Sequence, residues 1–313
     1  MPLLTIFAAP KPFTNGHIAT IQRNAVNSWK SLGPDVEVFL MGQEVGLAEA
    51  AAELGVRHFE NVRLTKETKT PYVSSMIETA RQNSGSPLLL CINADVILLP
   101  EFLEAARTLL VWQRDFLMVG PRWDLAVTEL LEFGPGWDQR LRADALERGK
   151  THPPLGSDYF LFPRDSFGDI PDFAMGRSAW DNWMIYHHRS RKLPVVNGTM
   201  AINVIHQNHD YSHLPGNKPP YQLPETMENI RLAGGRRRLL FLEDTDYQLA
   251  GGQPVRVPLR QRRLARLIET FPIIYLNSYA LAEVTYFIFH PSKAWGEWRG
   301  RVGYKLNRLR SKK

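Results

Sequence analysis

The chain of 313 residues is 44% hydrophobic and 22% charged, a globular composition whose length predicts two domains or one large α/β domain with an appendage. Its single cysteine, Cys91, excludes a disulfide framework and a cysteine-rich zinc site, and its place in an apolar run predicts a buried, reduced thiol. The net charge is +6, but residues 1–230 taken alone are acidic, with 21 Lys and Arg against 26 Asp and Glu. Because most of the chain carries this acidic balance, we expect no nucleic-acid partner.

The first hundred or so residues alternate between short apolar runs and amphipathic segments with helical spacing. The predicted strands are Leu3–Ala9, Val36–Met41, Arg57–Val62 and Pro87–Leu99, and the predicted helices are Asn15–Leu32, Glu44–Leu54 and Pro71–Asn83. This alternation is typical of a parallel sheet covered on both faces. Function is then expected in the loops at the carboxyl ends of the strands.

The middle of the chain mixes both kinds of element. We predict helices at Phe102–Arg114, Trp180–Arg191 and Thr226–Leu232, and strands at Phe116–Val119, Tyr159–Pro163 and Met200–His206. Asp210–Leu223 contains Gly, Asn and three Pro, a composition that predicts a loop. Beyond it, helical patterns recur at Arg260–Ile268 and Ser278–Phe289.

The apolar run Leu88–Leu98 is the most informative segment, because it contains Asn93-Ala94-Asp95. Burying an unpaired carboxylate is costly, so an acid here is expected to hold a metal or another electropositive ligand. A hard divalent cation held by one or two carboxylates and by substrate phosphates is the usual Mg²⁺ or Mn²⁺ arrangement. The spacing alone leaves open that Asp95 is a turn or helix-cap residue.

Asn93-Ala94-Asp95 after an apolar strand resembles the DXD motif of nucleotide-sugar glycosyltransferases with the GT-A fold. The opening Leu4–Phe13 is similar to the first strand and donor loop of glycosyltransferase family 2-like proteins. The resemblance covers about residues 3–235 and departs from the motif at Asn93, where the family usually has Asp. It implies a GT-A-like, Rossmann-type α/β fold, in which a mixed, mainly parallel sheet is flanked by helices.

The resemblance also implies an activity and a domain plan. The activity is transfer of a sugar from a nucleotide-diphosphate sugar to a hydroxyl of a glycan or lipid-linked acceptor, inverting and dependent on Mn²⁺ or Mg²⁺, as in polysaccharide biosynthesis. Residues 1–235 would form the catalytic domain, with the nucleotide-sugar half at 1–120 and the acceptor half at 121–235. Residues 236–313 would form a basic, partly helical extension.

Individual roles follow the same resemblance. Asp95 would carry most of the cation binding, with His206 or His209 as further ligands, whereas His213 is expected to be a loop residue. The residues expected to bind substrate are Ala8, Pro10, Lys69, Asn93, Asp158 and Trp180. For three of them a structural role remains open: Asp158 as a turn residue, Lys69 as a solvated loop lysine, and Trp180 as part of the core.

Asp181 is the candidate general base. In inverting members of the family an acid at the start of the acceptor-side helix removes the proton from the attacking hydroxyl. Asp181 occupies such a position, beside Trp180 and Trp183, which lie three residues apart and share a helix face. A carboxylate in a first helical turn is also stabilised by the helix dipole, which is the structural alternative.

The chain ends in a basic segment, His290–Lys313, with eight Lys and Arg against Glu297 alone and with interleaved aromatic residues. This pattern favours docking at an anionic membrane surface over RNA binding or a solvated, disordered end. Because Met1–Pro10 is predicted to be a strand rather than a secretory leader, we expect a cytoplasmic, peripherally membrane-bound protein. Two alternatives to transfer remain open: a sugar-phosphate nucleotidyltransferase, and a non-catalytic membrane-surface binding protein.

Overall fold

A computed structural model describes residues 1–210 and 220–310, with the side chains of 1–210 and 221–300. The chain divides into two compact units, Met1–Val257 and Pro258–Lys313. The division follows Val257 rather than residue 235, because the strands at Tyr247–Ala250 and Gln253–Arg256 belong to the main sheet of the first unit. Gly251 and Gly252, both at positive φ, form the turn between these two strands.

The first unit is built on strands that the structure places in two sheets. In chain order they are β1 (Leu4–Ala8), β2 (Val36–Met41), β3 (Arg57–Phe59), β4 (Leu88–Ile92), β5 (Val96–Leu98), β6 (Leu117–Val119), β7 (Trp123–Leu125), β8 (Lys150–Thr151), β9 (Tyr159–Pro163), β10 (Val195–Asn197), β11 (Val204–Gln207), β12 (Tyr247–Ala250) and β13 (Gln253–Arg256). The main sheet has the order β13-β12-β10-β6-β9-β4-β1-β2-β3, and the smaller sheet has the order β5-β11-β7-β8.

Only β9 and β13 run against the other strands of the main sheet. The expected class, a mixed and mainly parallel sheet flanked by helices, is therefore confirmed. The helices of this unit are α1 (Gly16–Lys30), α2 (Leu47–Leu54), α3 (Val73–Asn83), α4 (Glu101–Trp112), α5 (Trp137–Arg148), α6 (Trp180–Ser190) and α7 (Pro224–Leu232).

The central strands β1, β4 and β9 are buried along their whole length. Strands with both faces covered require apolar side chains at every position, and these runs have them. Cys91 lies within β4, fully buried, and burial raises the pKa of its thiol to about 12, so the prediction of an inert thiol is confirmed.

The structure differs from the sequence prediction at Pro87–Leu99, which was expected to be one strand. Two strands in different sheets replace it, β4 and β5, with Asn93-Ala94-Asp95 in the connection between them. A continuous apolar run does not reveal this break, because both strands are buried and both are apolar. The consequence is that Asp95 lies in a buried turn where the two sheets meet.

The second unit consists of helices α8 (Gln261–Tyr275), α9 (Tyr279–Phe289) and α10 (Pro291–Arg310). The basic segment, for which disorder had remained open, is thus helical as far as Arg310. Among the residues that the structure describes, no helix combines the length and the apolar character needed to cross a bilayer.

Candidate active site

Four chain segments converge at one edge of the main sheet. The carboxyl ends of the neighbouring parallel strands β1 and β4 lie there, as does the beginning of the antiparallel strand β9. The β4–β5 turn joins this edge to the smaller sheet, in which β11 pairs with β5 so that His206 lies opposite Val96. This topology brings Asp95 together with His206 in β11 and His209 after it, although these histidines are far from Asp95 in the sequence.

Asp95 is the centre of the cluster, and its side chain is only 8% exposed. Its Oδ2 atom lies 2.6 Å from Lys11 Nζ and 3.0 Å from His209 Nε2, and its Oδ1 atom lies 3.8 Å from His206 Nε2. Burial alone would raise the pKa of Asp95, but Lys11, His206 and His209 together hold it well below its usual value. Asp95 is therefore a buried, ionised carboxylate.

The partners of the two imidazole rings determine where their protons lie. His209 Nδ1 is 2.7 Å from the carbonyl oxygen of Asp210, which can only accept, so Nδ1 carries the proton and Nε2 presents a lone pair. His206 Nδ1 lies 3.0 Å from Asp124 Oδ1, so the Nδ1 side of this ring faces Asp124, whereas its Nε2 atom lies 3.8 Å from Asp95 Oδ1.

Asp95, His206 and His209 form a donor set that suits a divalent cation. One ligand atom from each lies within 4.8 Å of the others, and Asp95 Oδ1 is buried without a hydrogen-bond partner among the described residues. A carboxylate oxygen and two imidazole nitrogens are appropriate for Mn²⁺ and for other divalent transition metals. The three residues expected to bind metal are thus brought together, and they fit one.

Besides Lys11, three residues of this site were not identified from the sequence: Arg122, Asp124 and His152. Asp124 lies 2.7 Å from Arg122 Nε, 3.1 Å from His152 Nδ1 and 3.0 Å from His206 Nδ1. Burial raises the pKa of Asp124, but the contacts with His152, His206 and Arg122 lower it far below its usual value. Asp124 therefore orients His206, as carboxylates behind metal-binding histidines commonly do.

Arg122 links this cluster to Asp158 at the beginning of β9. Its Nη1 atom lies 2.5 Å from Asp158 Oδ1, and Asn93 Nδ2 donates to the same oxygen over 3.1 Å. Asn93, the position that departs from the DXD pattern, thus forms its hydrogen bond with Asp158 and not with Asp95. Asp158 is buried and charge-paired, as expected for a residue that fixes the geometry of a site.

Asp181 lies in the first turn of α6, and its Oδ1 atom is enclosed without a hydrogen-bond partner among the described residues. Burial raises the pKa of Asp181 to about 6; backbone amides at the helix start, chiefly that of Asn182, oppose this, and the charge of Asp158 adds to it. The preceding Ala179 has φ of +93°, a strained conformation of a kind that clusters at functional sites. Asp181 therefore has the properties expected of a general base.

The remaining predicted residues have other surroundings. Ala8 is fully buried, Pro10 is buried directly before Lys11, and Trp180 is buried with its ring 4.7 Å from that of Phe160. Lys69 is exposed at a positive φ, and among the described residues no contact connects it to the Asp95 cluster. His213 lies outside the described residues. The substrate contacts expected of Ala8, Pro10, Lys69 and Trp180 stay predictions.

Comparisons with models of protein families and with curated proteins give no match. Solved structures similar to the chain include glucosyl-3-phosphoglycerate synthase from Mycobacterium tuberculosis, at 16% identity and a TM-score of 0.44 over 75% of this chain and 82% of that one. They also include a mannosyltransferase from Pyrobaculum calidifontis in complex with GDP-Man and Mn²⁺, at 11% identity and a TM-score of 0.40 over 68% and 59%. At these values the similarities assign neither a family nor an activity to this chain.

Proposed function

We propose that this protein is a glycosyltransferase that moves a sugar from a nucleotide-diphosphate sugar to a hydroxyl acceptor with inversion at the anomeric carbon. The observation that carries the proposal is the Asp95 turn, where a buried carboxylate and two oriented imidazoles converge on one point at the carboxyl edge of the sheet. Such an edge is where open α/β sheets bind their ligands.

We propose a separate role for each residue of the site. Asp95, His206 and His209 would hold Mn²⁺ or Mg²⁺, which when bound neutralises charge developing on the leaving diphosphate. Arg122 and Asn93 fix Asp158, which we propose contacts the donor sugar. Asp181 would accept the proton of the acceptor hydroxyl, a role for which a pKa of about 6 leaves it ionised at neutral pH.

The proposal is tested with a panel of UDP- and GDP-sugars, incubated with the full chain and Mn²⁺. We expect release of free nucleoside diphosphate from at least one donor, and loss of that release when EDTA removes the metal. Release of a nucleoside triphosphate when pyrophosphate is supplied would instead identify a sugar-phosphate nucleotidyltransferase. Absence of turnover with every donor and with liposomes present would favour a non-catalytic surface-binding protein.

Asp124→Asn should weaken metal binding without removing a ligand. The neutral side-chain amide of Asn attracts the His206 ring more weakly than the Asp124 carboxylate does, so His206 is held less firmly in its orientation. Loss of such a supporting group typically costs about 10- to 100-fold in metal affinity, and calorimetric titration with Mn²⁺ measures it. Asp144→Asn, which alters an exposed ion pair on α5, is the matched control. Equal affinities in both variants would contradict the role of Asp124.

We also propose that the second unit places the enzyme on an anionic membrane surface. Residues 258–313 hold twelve Lys and Arg against three Glu. Large apolar side chains about half exposed to solvent recur along one face of α8, at Leu264, Ile268, Phe271 and Tyr275. Apolar residues also line a groove within the unit, formed by Val284, Phe287, Ile288, Ala294, Trp295 and Trp298 with Glu283 and Glu297.

This combination of exposed apolar surface and net positive charge is typical of helices that lie in a bilayer interface. A lipid-linked acceptor would be presented at the same interface. We therefore propose that the protein is peripherally bound to a membrane and that its acceptor is a glycan built on a membrane lipid.

A further inference from the structure

Lys11 was not singled out by the sequence, yet its ammonium group lies inside the proposed metal site. Lys11 Nζ is 2.6 Å from Asp95 Oδ2 and 2.8 Å from His209 Nε2. These two atoms lie only 3.0 Å apart, so the ammonium group contacts both at once. Its positive charge stabilises the Asp95 carboxylate.

The position of Lys11 is fixed by its surroundings and is not that of a mobile surface lysine. Pro10 and Pro12 restrict the backbone on either side. The buried side chain of Gln22 on α1 accepts a hydrogen bond from the Lys11 amide over 2.5 Å and donates one to its carbonyl over 3.0 Å. The Lys11 side chain is 22% exposed, so its ammonium group can move toward solvent.

The ammonium and a divalent cation cannot occupy the same point. A cation bound by Asp95 Oδ2 and His209 Nε2 would lie where Nζ now lies, and like charges at contact distance repel strongly. His206 Nε2 and the unpartnered Asp95 Oδ1 remain available on the other side of the carboxylate. The donor set is thus complete only when the Lys11 side chain has moved.

We propose that Lys11 is a built-in competitor of the divalent cation, so that metal binding requires displacement of its ammonium group, and that the displaced ammonium then pairs with the diphosphate of the donor. This rests on the proposed function, since the diphosphate is that of the sugar nucleotide. The consequence is that free protein binds metal weakly and that metal and nucleotide bind cooperatively.

The test is direct titration of the full-length protein with Mn²⁺, with and without UDP or GDP. The concentration of free Mn²⁺ is measured by its electron paramagnetic resonance signal. Lys11→Met keeps an unbranched side chain, one atom shorter than that of Lys, and removes its charge. We expect this variant to bind Mn²⁺ about 10- to 100-fold more tightly than the wild type without nucleotide, the effect of removing a charge-assisted contact. We also expect nucleotide to raise its metal affinity less than it raises that of the wild type.

Lys66→Met, at an exposed lysine, is the matched control and should bind Mn²⁺ like the wild type. Lys11→Gln provides a second neutral variant if Lys11→Met does not fold. Unchanged or weaker Mn²⁺ binding by the folded neutral variant, or no Mn²⁺ binding by any protein, would overturn the inference. Failure of the proposed function has a different signature: the Mn²⁺ affinities differ as expected, but no sugar nucleotide is turned over by the wild type.

Discussion

Asp181→Asn is expected to abolish turnover and at the same time to raise the stability of the fold. Removing a general base costs about 10²- to 10⁴-fold in rate, and the amide cannot take up the proton of the acceptor hydroxyl. Hydrolysis of the active donor by water needs the same base, so it can be measured before the acceptor is known. Affinity for the nucleotide should be unchanged, because Asp181 is not among the residues proposed to bind it.

The stability gain follows from the sign of the pKa shift. The pKa of Asp181 is raised, first by burial, from 3.8 to about 6, so the folded state binds the proton more tightly than the unfolded state. The stabilisation from this proton is fully present below pH 4 or so and is lost as the pH rises through about 6. At pH 8 the wild type retains a buried charge that costs on the order of 3 kcal/mol, and the variant does not.

The same pKa sets the acidic limb of the wild-type profile, in which kcat should rise with pH through about 6. Thermal unfolding at pH 8 and donor hydrolysis at several pH values measure both effects on the full chain. Asp172→Asn is the control, since Asp172 is an exposed carboxylate paired with Arg63 and should leave turnover unchanged. Unchanged turnover in Asp181→Asn would refute the assignment of the base, and a lower unfolding temperature would refute the buried charge.

Much of the fold could be predicted from periodicity alone. Tyr159–Pro163 and Val36–Met41 were predicted with the bounds that the structure shows, because each is a compact apolar run between polar segments. The strands β12 and β13 were missed, although the Gly251-Gly252 pair between two short runs is a strong hairpin signal. The first compact unit, which includes this hairpin, ends at Val257, and the predicted domain boundary at residue 235 stays a prediction.

The site was predictable only in part, because its contacts are set by topology. Asp95 could be found as the acid within one apolar run, whereas His206 and His209 were assigned as ligands through the family resemblance. Lys11 and Asp124 contact Asp95 and His206 across 84 and 82 residue positions, and no local pattern encodes such pairings. The available signal was weaker: Arg122-Trp123-Asp124 places two charges soon after the buried strand β6, from which Gly120-Pro121 separates them.

The apolar surface of the second unit should account for membrane binding, and replacing two of its residues should remove most of it. Phe287→Asp with Ile288→Asp alters two side chains that are half exposed or more, so the helix can form without them. Each change removes apolar contact with the bilayer and adds a negative charge facing anionic lipid. One charge near such a surface changes the free energy of binding by about 1 kcal/mol. We expect the double variant to bind phosphatidylserine-containing vesicles at least about tenfold more weakly.

Vesicle cosedimentation measures this binding, and its dependence on salt and lipid separates the two contributions. Higher ionic strength should weaken wild-type binding through screening of the basic residues, and vesicles of phosphatidylcholine alone should bind less. Val111→Asp, at an exposed apolar residue of α4 in the first unit, is the matched control and should bind vesicles like the wild type. Deletion of residues 291–313 should reduce vesicle binding more than it reduces hydrolysis of a soluble donor.

The same variants distinguish a membrane surface from a protein interface, which an exposed apolar face would equally suit. If the face is buried in a complex between copies of this chain, sedimentation will show a wild-type oligomer that the double variant lacks, with vesicle binding the same in both. Loss of vesicle binding from a monomeric wild type identifies the lipid surface instead. In that case an acidic catalytic unit is carried to an anionic bilayer by a separate basic one, so the net charge of +6 describes neither unit.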